Sequence, residues 1–151
     1  MTEPAPFGTG GLTTTRVFAA PRERVWREWT EPDRFADWFG GVECEVPLAT
    51  VSMDVRPGGT WRATMFCGTG RREIRWTGEY HEVAAPERLV FTISDRPGEA
   101  RYELVTVVLT DVGDGRTEMH FQTTTEASGE LLQRMKGGVE SAFERLEEAL
   151  R

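Results

Sequence analysis

The side chains with the type and setting to do chemistry in this 151-residue chain are two histidines, two cysteines and a few carboxylates on strand-like segments. His81 and His120 are of the residue type suited to acid or base work. Neither has a Ser, Cys or second His at helical or strand spacing that would make a nucleophile pair. A period of two sets His120 opposite Met119 and Phe121, so it is expected on the solvent face. Cys44 and Cys67 form no C-x-x-C and have no His at metal-ligand spacing. Two free thiols in a reducing cytosol is the plainer expectation, with a disulfide between them as the alternative. Glu43, Glu45, Glu79 and Glu82 alternate with Cys44 and Tyr80, which puts them on a wet face rather than in a buried basic role. Arg71-Arg72-Glu73-Ile74-Arg75 reads as a solvated loop. Gly68-Thr69-Gly70-Arg71 lacks the spacing and the Lys of a phosphate loop. On these residues no catalytic group, metal site or cofactor is expected.

Composition narrows the classes further. Lys and Arg number 18 against 25 Asp and Glu, a net charge of −7, which argues against a nucleic-acid binder, where a basic face is expected. No stretch approaches the ~20 apolar residues of a membrane span, and Met1-Thr2-Glu3-Pro4-Ala5-Pro6 shows no secretory pattern. The expectation is a cytoplasmic protein, monomer or weak dimer, that engages neither nucleic acid nor membrane. Five Trp and eight Phe in so short a chain are more aromatic bulk than a small core requires.

The elements that must position these residues follow from periodicity. Residues 1 to 11, rich in Pro and Gly, read as a flexible lead-in, with one domain over 12–151. A first strand covers 12–18. Pro21 then stands where a first helical residue should, and Val25, Trp26 and Trp29 share a face. A second short helix starts near Pro32, with Phe35, Trp38 and Phe39 as its apolar side. Short strands separated by turns follow, near 43–46, 51–55, 60–65, 72–80, 89–93, 102–110 and 117–124, which predicts an antiparallel meander. The last segment, from about Ser128, carries Leu131, Leu132, Met135, Val139, Ala142, Phe143, Leu146 and Leu150 at helical spacing. Gly137-Gly138 in its middle suggests a close backbone approach or a bend. A curved antiparallel sheet wrapped round one long C-terminal helix is the economical α+β solution.

Several of these segments resemble one known family. Phe18-Ala19-Ala20-Pro21-Arg22-Glu23-Arg24-Val25-Trp26, followed by Glu31-Pro32-Asp33 and Trp38, resembles the opening of the AHSA1-like group, named after the activator of Hsp90 ATPase, within the START-like (Bet v 1-like, SRPBCC) superfamily. Asp54-Val55-Arg56-Pro57-Gly58-Gly59-Thr60-Trp61 is similar to its "RPGG" hairpin. Gly78-Glu79-Tyr80 with Pro86-Glu87-Arg88-Leu89-Val90-Phe91-Thr92, and Val105-Thr106-Val107 with Gly115-Arg116-Thr117, resemble its later hairpins. The likeness runs in order from about Thr14 to Leu150. It departs at the final helix, where the group carries a Gly-Trp pair and this chain has Gly138-Val139, which implies a differently shaped or larger pocket.

The resemblance implies a helix-grip fold with a cavity between sheet and long helix, used across the superfamily for apolar or aromatic ligands. The candidate lining is Trp38, Phe39, Trp61, Met65, Trp76, Tyr80, Phe91, Phe121, Met135, Val139 and Phe143, large aromatics on faces that should converge. Trp26, Trp29 and Phe18 read as structural. Three functions fit: a non-catalytic binder of a small hydrophobic or aromatic molecule; a regulator of an Hsp90-type chaperone, or of another protein, as the family name suggests; and a polyketide-type cyclase or antibiotic self-resistance protein with Tyr80, His81 or Glu82 at the cavity wall. Fold alone does not choose among them.

Overall fold

A computed structural model describes residues 11–99 and 101–151; the lead-in expected over 1–11 lies, apart from Gly11, outside the described residues. Strand β1 (Leu12–Phe18) is followed by helices α1 (Arg22–Thr30) and α2 (Pro32–Trp38). Strands β2 (Cys44–Glu45), β3 (Ser52–Met53), β4 (Thr60–Cys67), β5 (Arg72–Ala84), β6 (Arg88–Ile93), β7 (Glu103–Gly113) and β8 (Arg116–Thr123) lead to helix α3 (Gly129–Ala149). All pairs are antiparallel, in the order β1-β8-β7-β6-β5-β4-β2, with β3 also paired to β4. This is the helix-grip architecture: a curled sheet with two short helices after the first strand and a long helix at the end.

Side-chain alternation assigns the faces. On β4, Trp61, Ala63 and Met65 are buried while Thr60 and Arg62 are exposed, the expected period of two. The β4–β5 register sets Trp61 opposite Gly78, Ala63 opposite Trp76 and Met65 opposite Ile74. Gly78 leaves the space that the indole of Trp61 enters. A Cβ there would run into the Thr92 carbonyl oxygen and Trp61 Nε1, the two atoms that hydrogen-bond at 3.0 Å. The Arg56-Pro57-Gly58-Gly59 turn clamps the same strand. Gly58, at φ +85°, donates its N–H to the Tyr80 carbonyl, and Tyr80 N–H donates to the Gly59 carbonyl, both at 2.8 Å.

Three expectations change on the structure. First, Cys44 and Cys67 are joined as a disulfide, not left as free thiols. The β2–β4 register puts them directly opposite one another with Cα atoms 4.2 Å apart, within reach of a bridge. Second, Pro21 is the N-cap of α1 rather than its first residue. Third, no close neighbour approaches Gly137 or Gly138 among the described residues. The helix runs unbroken from Gly129 to Ala149, and a Cβ at either glycine would meet nothing within 4 Å.

The consequence for α3 is an uneven helix. Its C-terminal half buries Ala142, Phe143 and Leu146, with Leu150 buried just beyond. Its N-terminal half leaves Leu131 half exposed, at 53%, and carries two glycines that each weaken a helix by about 1 kcal/mol against Ala. Replacing both, as Gly137→Ala with Gly138→Ala, is expected to raise urea-unfolding stability by roughly 1–2 kcal/mol. Gly78→Ala should lower it by about 2 kcal/mol or more, through the clash and the lost Trp61 bond; equal denaturation midpoints for that variant and the parent would refute the packing account.

Candidate functional site

The concave face of the sheet, the two short helices and α3 enclose one aromatic cluster. Trp29 of α1 stands at its centre, with ring centroids 4.8 Å from Trp38, 6.1 Å from Phe143, 6.2 Å from Phe91 and 6.3 Å from Phe121. Phe35 of α2 links this group to Trp61 at 5.8 Å and to Phe39 at 4.4 Å. Phe39 in turn meets Trp76 at 6.2 Å. Most of these pairs are edge-to-face or tilted, the arrangements that the ring quadrupoles favour. The residue read from sequence as merely structural, Trp29, is the hub.

Of the eleven candidate lining residues, Trp38, Trp61, Met65, Tyr80, Phe91, Phe121 and Phe143 are buried in this one cluster. Phe39, Trp76 and Val139 pack at its edge. Met135 stands apart, half-buried, its sulfur 3.8 Å from the Thr125 hydroxyl. The aromatics therefore meet as expected, but they fill much of the space they surround. A seam along Trp29, Phe35, Met53, Trp61, Tyr80, Leu89 and Phe91 is too narrow to hold a water. A wider recess, about 530 Å³, opens to solvent elsewhere, between α2, the β2 segment, the β4–β5 turn and α3.

The polar atoms of the cluster are unequally satisfied. Trp38 Nε1 donates to the Glu28 carbonyl and Trp61 Nε1 to the Thr92 carbonyl, each at 3.0 Å. The indole N–H groups of Trp29 and Trp76 are buried and have no hydrogen-bond partner among the described residues, an arrangement that costs about 1–3 kcal/mol per group. Tyr80 points inward, and burial, followed by the nearby Asp54 charge, pushes its hydroxyl pKa far up, so the phenol stays neutral. His81 and Glu82 face out: His81 lies 3.7 Å from Glu79, and Glu82 accepts from Arg88 at 3.0 Å. His120 is also on the outer face, bonded through Nδ1 to the Thr15 hydroxyl at 2.8 Å. Among the described residues no three His, Cys, Asp or Glu side chains gather to hold a metal ion.

Glu28 was not visible as a special residue in the sequence, though the signal was there. Val25, Glu28 and Trp29 occupy spacing 3 and 4 on α1, and all three are buried. The Glu28 carboxylate meets Arg34 of α2 at 3.2 Å. Burial raises its pKa above the ordinary carboxylate value, and Arg34 opposes that shift without cancelling it.

A family model described as "Activator of Hsp90 ATPase homolog 1-like protein" matches residues 19–151, the span that carries α1 to α3 and all but the first strand of the sheet. The chain belongs to this family. Its fold is shared by solved structures of low sequence identity. A protein from Mycobacterium smegmatis is 25% identical, with a TM-score of 0.78 over 95% of this chain and 91% of that one. The AHSA1 protein from Silicibacter pomeroyi is 19% identical, with a TM-score of 0.79 over 93% of this chain and 97% of its own. CalU16 from Micromonospora echinospora is 23% identical, with a TM-score of 0.65 over 98% and 81%. No curated protein matches this chain.

The Glu28 site gives a signed pH prediction. A carboxyl whose folded pKa lies above its unfolded value binds protons more tightly in the native state, so it favours folding at low pH. That contribution is lost as pH rises from the unfolded value of 4.5 through the raised one. Glu28→Gln keeps an oxygen for Arg34 and removes the titration. Against the parent, the variant should gain relative stability as pH climbs from about 4 to 7, measured as denaturant midpoints across that range. Parallel pH profiles for the two proteins would contradict it.

Proposed function

We propose that this protein reversibly binds a small molecule with an apolar or aromatic body and a hydrogen-bond acceptor, on the concave face between the sheet and α3, with no covalent chemistry. The observation that carries the reading is the pair of unpartnered indole N–H groups, Trp29 on the inner seam and Trp76 at the edge of the cluster. Native proteins seldom leave buried donors empty. An acceptor-bearing guest among the rings would satisfy one or both. Stacking between aromatic faces supplies the remaining affinity. The candidate contacts are those expected from sequence: Trp38, Phe39, Trp61, Met65, Trp76, Tyr80, Phe91, Phe121, Met135, Val139 and Phe143.

Entry requires the cluster to open, because the seam as it stands is smaller than typical ligand pockets of about 300–1,000 Å³. Phe39, Trp76 and Val139, at the edge of the core, and the lightly packed N-terminal half of α3 are the parts able to yield. Among the described residues no helix is long and apolar enough to cross a membrane.

Flavone, aromatic with a carbonyl acceptor, is a suitable probe. Saturable quenching of tryptophan emission is expected, with Trp29→Phe and Trp76→Phe each weakening it by about three- to tenfold, the loss of one hydrogen bond. Absence of saturable binding up to the solubility limit would sink the proposal. The closed interior and the family description favour a second reading, an Hsp90-type chaperone regulator. Stimulation of such a chaperone's ATP hydrolysis by the purified protein tests it directly.

A further inference from the structure

We infer that the Cys44–Cys67 disulfide is a reversible latch on the Phe39–Trp76 edge of the aromatic cluster, opened by a dithiol reductant and closed by oxidation. The latch controls the site of the proposed function and, for its effect on a guest, rests on that reading. Phe39 caps α2 and meets Trp61 of β4 at 5.9 Å and Trp76 of β5 at 6.2 Å. Directly after it, Gly40 lies against Cys44. A Cβ on Gly40 would stand 2.7 Å from the Cys44 carbonyl oxygen and 3.0 Å from the Cys44 Cβ. The position of Phe39 is thus tied to that of Cys44, and the bridge fixes Cys44 to β4, beside the strand that carries Trp76.

The other holds on this segment are unevenly placed. On the α3 side, the Ser141 hydroxyl accepts the Val42 N–H and Arg145 donates to the Gly41 carbonyl, each at 3.0 Å. On the sheet side, the β2–β4 pairing is two residues long. It is joined by a bond from Gly68 N–H to the Glu43 carbonyl at 3.1 Å and by the exposed Arg71–Glu45 ion pair, a kind of contact that adds little. The disulfide is therefore the strongest tie between residues 40–45 and the sheet. With the bridge cut, so short an edge strand frays at low free energy. The segment can then follow α3 while β4 and β5 stay paired. Phe39 and Trp76 part, and the edge of the cluster opens without disturbing Trp29 at its centre.

A reductant can reach the bridge. Cys44 lines the solvent-open recess of about 530 Å³, and both cysteines are only partly buried. A thiolate of the dithiol attacks Cys44 Sγ, the Sγ–Sγ bond breaks, and Cys67 leaves as a thiolate that takes up a proton. The second sulfur of the dithiol then displaces Cys44 from the mixed disulfide. The reductant departs as a disulfide and the protein holds two thiols, a transfer of two electrons and two protons. A disulfide oxidant reverses the exchange whenever β2 pairs with β4, the register that sets the two cysteines opposite one another.

Dithiothreitol and oxidised glutathione set the two states of the parent protein, with the bridge followed by thiol titration. Hydrogen exchange read by mass spectrometry should speed by at least about tenfold in residues 40–46 on reduction, stay unchanged in β7 and β8, and recover on re-oxidation. Acrylamide quenching of tryptophan emission should rise on reduction, and Trp76→Phe should remove that rise. Flavone should bind the reduced protein about three- to tenfold tighter, because less of its binding energy goes into opening the cluster. Cys44→Ser with Cys67→Ser should match the reduced parent and ignore dithiothreitol. Exchange that speeds equally in β7 and β8 marks a bridge that only stabilises the fold and overturns the latch. Unchanged exchange in residues 40–46, or equal flavone affinity in the two states, overturns it as well. If the exchange and acrylamide responses appear while flavone binds neither state, the latch stands and small-molecule binding falls.

Discussion

A strongly curved antiparallel sheet has one face that water must not reach, and almost everything else in this molecule follows from how that face is covered. The chain has a single long helix for the purpose, and only the C-terminal half of α3 buries its apolar stripe deeply. The remaining area is closed by aromatic side chains brought in from α1 and α2. Trp29 makes this closure possible because one residue touches rings from α2, from α3 and from two different strands. Large rings from separate elements reach a common centre that aliphatic side chains on short helices would leave empty.

That solution has a polar consequence. Each indole brought inside carries an N–H that must find an acceptor or remain unsatisfied. Trp61 and Trp38 find carbonyls nearby, Thr92 over the side-chain-free Gly78 and Glu28 on the neighbouring helix. Trp29 and Trp76 have no such neighbour among the described residues. The interior is therefore well packed by shape and under-satisfied by hydrogen bonding. A core selected for stability alone would have little reason to keep two indoles in this state where Phe would fill similar space.

Much of the fold was legible because strands and helices advertise their faces through period. Trp61, Ala63 and Met65 against Thr60 and Arg62 declare β4, and the stripe from Ala142 to Leu150 declares the buried half of α3. The site was legible only as a set of converging side chains. Whether such a set lines a space or fills it depends on ring orientations and the Phe39–Trp76 and Trp29–Trp38 contacts, which are long-range in sequence or set by helix packing and leave no local mark. The disulfide is a similar case. Nothing in the spacing of Cys44 and Cys67 brings them together; the two-residue pairing of β2 with β4 does. Glu28 was hidden by its type, since a carboxylate in a helix is read as solvated until Arg34 on the next helix is known to meet it.

The glycine pair in α3 connects packing to access. Gly137-Gly138 gains nothing from close approach, because no atom stands where its side chains would be, and it sits between the anchored and the lightly held halves of the helix. Local stability in a protein is uneven, and segments with few buried apolar contacts open at lower free energy than the core. The segment from Gly129 to Gly138 meets that description, with Leu131 exposed, Met135 only half-buried and weak intrinsic helix propensity at its end. The anchored half, fixed by Phe143 and Leu146 against the Trp29 cluster, has the opposite character. If a guest enters where α3 is lightly held, as the proposed function requires, opening for it and keeping the fold need not compete for the same contacts.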